Sequence, residues 1–79
     1  NPVTTITFEL AKPEFVSLNV YDLNGNLINN LINRKEASGQ YNVSWNGLNN
    51  AKENVAGGVY FYRIDTDSYS ATKKMILLK

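Results

Sequence analysis

Hydrophobic and polar residues alternate along most of this chain, and the alternation predicts β-strands. Two such runs open the sequence on either side of Pro13, with apolar residues at every second position: Ile6, Phe8 and Leu10 in the first, and Val16, Leu18 and Val20 in the second. Successive side chains of a strand point to opposite faces, so this period predicts two strands with one buried face each. No stretch of helical length repeats apolar residues at helical spacing.

A turn sequence follows the second run, at residues 22–26. It contains Asn24-Gly25, a dipeptide that accepts the positive φ angles of a type I′ turn, so we expect a hairpin here. The return strand, residues 27–32, alternates imperfectly because Leu27 and Leu31 share one parity while Ile28 and Ile32 share the other, which predicts a bulge or a short edge strand. Residues 34–39 are polar and are predicted to be a connection.

The only tryptophan lies in the next alternating run. Tyr41, Val43 and Trp45 are separated by polar residues, and we expect this face to point inward with the large indole near the centre of the core. Residues 46–54 are rich in turn formers and are predicted to be a loop, and Val55 is a candidate for a short strand after it.

The last third of the chain, residues 57–79, is the segment around which the other strands are expected to pack. Two glycines open a run of aromatic and β-branched residues, a polar break follows, and a second apolar run ends the sequence. This pattern predicts two neighbouring antiparallel strands. Tyr60, Tyr62 and Ile64 share one face of the first strand. The second strand, residues 69–78, carries apolar groups on both faces.

Taken together, the pattern predicts six or seven short strands, spaced at roughly 8 to 12 residues and separated by turns. That arrangement is typical of an all-β antiparallel sandwich. At 79 residues the chain has room for one small domain, spanning residues 1–79.

Composition and charge exclude several classes of function. Eight basic and seven acidic side chains give a net charge of +1, which is too balanced to indicate a nucleic-acid partner. The chain has no cysteine and no histidine, so thiol chemistry and the commonest general base and metal ligand are missing. Asp65 and Asp67 supply too few oxygen donors for a cation. We therefore expect no enzyme activity, no cofactor and no small-molecule substrate.

The aromatic residues have two interpretations. Rings on an exposed face form a platform for sugars, whereas in a chain this small most rings are needed in the core. We favour the core for Trp45 and for one of Tyr60 or Tyr62. Exposure of Tyr21, Phe61 and Tyr69 on one face would favour the platform.

The terminal stretch, residues 73–79, is the feature that points most directly to a function. Lysines on an edge strand deter edge-to-edge aggregation. The same basic and apolar side chains also suit a segment that a receptor recognises, in which case the stretch should remain accessible to solvent.

Several segments, in this order and spacing, resemble the C-terminal sorting domain of the type IX secretion system of Bacteroidetes, and the middle part is also similar to the Ig-like domain of the flagellar hook-capping protein. The segments are Asn1-Pro2, Val20-Tyr21-Asp22 with Asn24-Gly25, Trp45-Asn46-Gly47, the run from Val55 to Ile64, and the run from Ala71 to Lys79.

The resemblance implies an Ig-like antiparallel β-sandwich of about seven strands at the end of a larger secreted protein. In that family the domain is an address that carries its cargo through the outer membrane, and a sortase-like protease commonly removes it. The implied partners are the secretion machinery of the outer membrane, that protease and N-terminal cargo domains, and the implied location is the cell surface or the exterior, reached through the periplasm and the outer membrane. The implied recognition residues are Lys73, Lys74, Met75, Ile76, Leu77, Leu78 and Lys79, and the structural motif is Trp45, Gly58, Tyr60 and Tyr62.

Two alternatives remain open at this point. The first is an accessory Ig-like module that binds carbohydrate or packs on a neighbouring catalytic domain. The second is a purely structural spacer.

Overall fold

The computed structural model describes residues 4–78, so Asn1-Pro2 and Lys79 lie outside the described residues. The described part contains six strands: β1 (Thr4–Leu10), β2 (Glu14–Tyr21), β3 (Leu27–Glu36), β4 (Gly39–Trp45), β5 (Gly58–Thr66) and β6 (Ser70–Leu77). β1 pairs with β4 in a two-stranded sheet, and the other four form a sheet in the order β3-β2-β5-β6. All pairings are antiparallel. The predicted all-β sandwich is confirmed, with six strands in residues 4–78 in place of about seven.

The inner faces of the two sheets form one hydrophobic core. Its buried members follow the period-two pattern of the sequence: Ile6, Phe8, Leu10, Val16, Leu18, Val20, Ile32, Trp45, Tyr60, Ile64, Met75 and Leu77. Burying a side chain of this size stabilises the fold by roughly 1.5–3 kcal/mol relative to leaving it exposed. Tyr41 and Val43 are partly buried and pack against this core, as predicted, and the Tyr41 ring stacks on Phe8 with centroids 5.0 Å apart.

Trp45 joins the two sheets. Its indole is 1% exposed and meets the ring of Tyr60 edge-to-face, with centroids 5.0 Å apart and planes at 70°. The indole N–H donates to the carbonyl of Leu48 at 2.9 Å, and that carbonyl also accepts a hydrogen bond from Asn29 Nδ2 on β3 at 2.8 Å. The predicted central position of Trp45 is confirmed, and one loop carbonyl links it to the larger sheet.

The β2–β3 hairpin is confirmed, but its turn is longer than a type I′ turn. Gly25 has a φ of 84°, whereas Asn24 does not have the positive φ that type I′ also requires. The Asp22 carboxylate organises the loop by accepting hydrogen bonds from the backbone N–H groups of Asn24 and Asn26, both at 2.9 Å. These bonds lower the pKa of Asp22, and the backbone N–H of Asn26 contributes most. An aspartate that binds its own turn in this way is common loop chemistry.

β3 contains the predicted irregularity and is longer than predicted. Leu18 pairs with Ile32 and Asn19 pairs with Asn30, so Leu31 is an extra residue, and a second register shift follows at Val20/Tyr21. The prediction that residues 34–39 form a connection was wrong, because β3 runs to Glu36 and only residues 37 and 38 separate it from β4. Backbone hydrogen bonds do not require apolar side chains, and the beginning of β2 offers a strand for these polar residues to pair with.

Residues 46–54 form the predicted loop, and Val55 does not start a strand. A single bridge, Leu48 to Asn54, is the β-pairing in this region. The side chain of Asn49 accepts hydrogen bonds from the N–H groups of Ala51 and Glu53 at 2.9 and 3.0 Å. Because these bonds curl the chain locally, they compete with an extended conformation.

A buried carboxylate fastens the β5–β6 turn to the beginning of β2. Glu14 is 3% exposed and accepts hydrogen bonds from the backbone N–H and the hydroxyl of Ser68 at 2.9 and 2.7 Å. Asp67 accepts one from the N–H of Phe15 at 3.1 Å. The hydroxyl of Ser68 is the main cause that lowers the pKa of Glu14 below its usual value.

We expect Trp45→Ala to destabilise the domain by about 3–5 kcal/mol, because it removes the edge-to-face contact and leaves a cavity between the sheets. Leu23→Ala is the matched control, since Leu23 is 67% exposed in the hairpin loop and its loss should change stability by less than about 0.5 kcal/mol. Urea unfolding followed by circular dichroism measures both. Equal midpoints for the two variants would contradict the central role of Trp45.

We expect Glu14→Gln to make the domain less sensitive to acid. Because the folded state lowers the pKa of Glu14, its ionised form stabilises the fold at neutral pH, and this stabilisation is lost as pH falls below the usual glutamate pKa of about 4.3. The difference in unfolding free energy between the wild type and Glu14→Gln should therefore be largest near neutral pH and shrink toward about pH 3. A difference that does not vary with pH would count against this role. The control is Glu9→Gln, because Glu9 is an exposed residue of β1.

Candidate functional site

The predicted recognition segment forms most of β6, which lies at one edge of the four-stranded sheet. β6 pairs with β5 along its whole length, from Leu77 opposite Gly58 to Ser70 opposite Asp65, without a register shift. The segment is therefore a regular edge strand of the folded domain.

The side chains of this segment divide between core and solvent. Met75 and Leu77 are 7% and 2% exposed and belong to the core, whereas Ile76 and Leu78 are 58% and 70% exposed. Lys73 and Lys74 are also exposed. The expectation that the stretch remains accessible is therefore met at Lys73, Lys74, Ile76 and Leu78, and it was wrong for Met75 and Leu77. Those two side chains are inaccessible because they face the smaller sheet.

Three residues of the predicted structural motif, Gly58, Tyr60 and Tyr62, lie on β5 opposite β6, and the fourth, Trp45, contacts Tyr60. Tyr60 lies opposite Met75 and donates a hydrogen bond from its hydroxyl to the carbonyl of Ala56. Tyr62 is partly buried against the core. Gly58, the first residue of β5, has a φ of 148°, which favours glycine, and no atom lies within 4 Å of where a Cβ would stand. Its role is conformational and does not depend on close packing.

The aromatic residues proposed as a sugar platform do not share one face. Tyr21 and Phe61 are cross-strand neighbours on the outer face of the larger sheet and line an open groove of about 440 Å³ together with Leu23 and Arg63. Tyr69 lies elsewhere, in a cleft of about 190 Å³ between β1 and β6. The prediction that Trp45 and one of Tyr60 or Tyr62 belong to the core is confirmed, and the buried tyrosine is Tyr60.

Asp65 and Asp67, the two residues considered as cation ligands, both accept hydrogen bonds from other groups of the chain. Asp65 binds the Nε of Arg63 at 3.0 Å and the hydroxyl of Ser70, and the bond from Ser70 is the main cause that lowers the pKa of Asp65. Among residues 4–78, no group of three or more His, Cys, Asp or Glu side chains could hold a metal ion. No helix in the same range is long and apolar enough to cross a membrane.

Sequence reasoning missed two features near these sites. Leu23 and Leu27 are 67% and 50% exposed beside the Tyr21 groove, and the imperfect alternation after the turn was the available signal for Leu27. The buried Glu14 had no signal in its local sequence, because its partner Ser68 lies 54 residues away.

The model of the FlgD Ig-like domain family matches residues 2–70 of the chain. The chain belongs to this family. The match confirms the predicted Ig-like domain, whereas the absence of enzyme activity stays a prediction. The match ends at Ser70, where β6 begins, so the predicted recognition residues lie beyond it.

The chain is also similar to the crystal structure of FlgD from P. aeruginosa. The TM-score is 0.72 at 22% identity, and the alignment covers 95% of this chain and 59% of that one. At this identity the likeness shows the fold alone. The chain thus spans about three fifths of the FlgD chain it matches. No curated protein matches the chain.

The two adjacent glycines before β5 should respond differently to substitution. We expect Gly58→Ala to destabilise the domain by about 1 kcal/mol or more, because alanine is strained at positive φ. Gly57 does not have a positive φ, so Gly57→Ala is the matched control and should be close to neutral. Thermal unfolding of the two variants makes the comparison, and a Gly57→Ala variant as unstable as Gly58→Ala would disprove the conformational explanation.

Proposed function

We propose that this domain is a non-catalytic sorting and anchoring module that directs a larger secreted protein through the type IX secretion system to the cell surface or exterior. The observation that carries the proposal is the exposure of Lys73, Lys74 and Ile76 on a regular edge strand and of Leu78 directly after it. These are the basic and apolar groups of the segment that resembles the family's recognition strand.

The way in which β6 is held supports this function. Met75 and Leu77 anchor the strand in the core, so the exposed side chains between and beside them are presented on a fixed scaffold. A receptor that binds a preorganised strand does not have to order it first, which improves affinity. Under this proposal the partners are the outer-membrane secretion machinery, a sortase-like protease and the cargo domains.

A second candidate function is favoured by the groove beside Tyr21 and Phe61. Two adjacent rings with a guanidinium and backbone polar groups nearby are suited to stacking against a sugar and hydrogen-bonding its hydroxyl groups. In this case the domain would be an accessory carbohydrate-binding module, and variants of the groove would lose sugar binding without changing export.

The sorting proposal is tested by fusing the domain to a reporter in a bacterium with a type IX system. We expect serine substitution of Lys73, Lys74, Ile76 and Leu78 together to reduce export on the order of tenfold or more, because these changes remove the contact groups and leave the core intact. The matched control replaces Leu23, Leu27, Lys35 and Lys52 with serine, which removes two lysines and two exposed leucines away from β6 and should leave export unchanged.

Substitution is preferable to deletion of residues 73–79 in this experiment. Deletion also removes Met75 and Leu77 from the core, so a loss of export would follow from unfolding alone. Each fusion should therefore be checked for a folded domain by limited proteolysis. Normal export of a folded β6 variant would refute the sorting role.

A further inference from the structure

The two edges of the four-stranded sheet differ in how well they are protected from other strands. The β3 edge carries two bulges, and a loop covers its beginning: the N–H of Asn50 donates to the carbonyl of Ile28 at 2.9 Å, and the N–H of Asn30 donates to Asn50 Oδ1 at 3.1 Å. Bulges and loop coverage are the usual means by which proteins prevent a strand from adding to a sheet edge.

The β6 edge has neither form of protection. Its pairing with β5 is regular throughout, and within residues 4–78 no strand pairs with its other side. Such an edge presents a row of backbone N–H and C=O groups that is ready to accept another strand. Ile76 and Leu78 add exposed apolar side chains at the same place, whereas β1 and β4 expose no large hydrophobic residue in their described ranges.

The charges on β6 favour one kind of partner. Lys73 and Lys74 lie opposite Tyr62 and Phe61 and therefore project to different faces of the sheet. Neither lysine forms an ion pair with any residue of the described range. A strand that adds to this edge meets a positive charge on each face, so adjacent carboxylates are the complement.

The same charges disfavour a second copy of this chain as the partner. The middle of β6, Ser70–Leu77, falls between the two lysines. Two copies that paired antiparallel about this midpoint would place Lys73 of each opposite Lys74 of the other. Like charges directly opposite each other destabilise a pair of strands, so the edge discriminates against self-association.

We propose that β6 accepts an extended acidic segment of a partner protein as a fifth strand of the sheet. Two adjacent carboxylates of that segment lie opposite Lys73 and Lys74, and an aliphatic side chain packs on Ile76. Main-chain hydrogen bonds supply affinity, and the flanking side chains supply specificity. The inference rests on the proposed sorting function and adds the binding mode and the chemistry of the partner.

A capped octapeptide of sequence Thr-Val-Thr-Glu-Glu-Thr-Val-Thr is the probe. It is palindromic, so it presents its paired glutamates to the lysines whether it binds parallel or antiparallel. We expect amide chemical-shift changes in NMR spectra of the chain to concentrate on β6 when this peptide is added. A peptide with glutamine in place of glutamate should bind more weakly.

Charge reversal provides the decisive comparison. Lys73→Glu together with Lys74→Glu should weaken binding of the glutamate peptide by roughly tenfold. The same double variant should bind a peptide that has lysine in place of both glutamates. Lys35→Glu together with Lys52→Glu changes the net charge equally away from β6 and should have little effect. All four residues are exposed, so the variants are expected to fold, and circular dichroism verifies this.

Three results would overturn the inference. The first is chemical-shift changes concentrated away from β6. The second is equal binding of the glutamate and glutamine peptides, or no binding of either, and the third is concentration-dependent dimerisation through β6 in sedimentation experiments. The experiments distinguish failure of this inference from failure of the sorting function. If export depends on β6 but the peptide does not bind, only the strand-addition mode is wrong. If the peptide binds but export does not depend on β6, the sorting role is wrong.

Discussion

The packing of Trp45 against Tyr60 holds the two sheets together and, through them, the edge strand. Trp45 ends β4 of the smaller sheet, and the centroid of its ring lies 5.0 Å from that of Tyr60 on β5. Tyr60 in turn lies opposite Met75 on β6. Three side chains thus connect the smaller sheet to the strand at the far edge of the larger one. A domain of this size has a small core, so losing one such contact removes a large share of its stability.

That connection lets β6 combine buried and exposed side chains on one ordered strand. Alternate side chains point to opposite faces of a strand, so Met75 and Leu77 can be core residues while Ile76 remains in solvent and Leu78 follows just beyond the strand. The recognition proposed here would therefore read a folded edge, and the intact sandwich would be part of the signal.

The lysines of β6 bear on self-association of the chain and on the charge of the proposed partner. Positive charges on an open edge prevent identical chains from joining their sheets. Under the proposed strand addition they would also set the charge that the partner carries, and discrimination between partners commonly combines attraction with repulsion in this way. The β3 edge has instead two bulges and the Asn50 loop over its beginning, which hinder strand addition irrespective of charge.

The sequence by itself determined the strands with clear alternation, the inward face of Trp45 and the irregularity after the hairpin, because period-two patterns and local turn chemistry depend only on neighbouring residues. Tertiary structure decided what local patterns leave open. Polar residues 34–36 became strand because β2 offered a partner, and Glu14 became a buried carboxylate because Ser68 lies beside it in space. Residues 75–78 are apolar on both parities, so the alternation within this run shows that they separate but not which pair is buried. The register with β5 decides it, by placing Met75 opposite the inward-facing Tyr60 and leaving Ile76 outside.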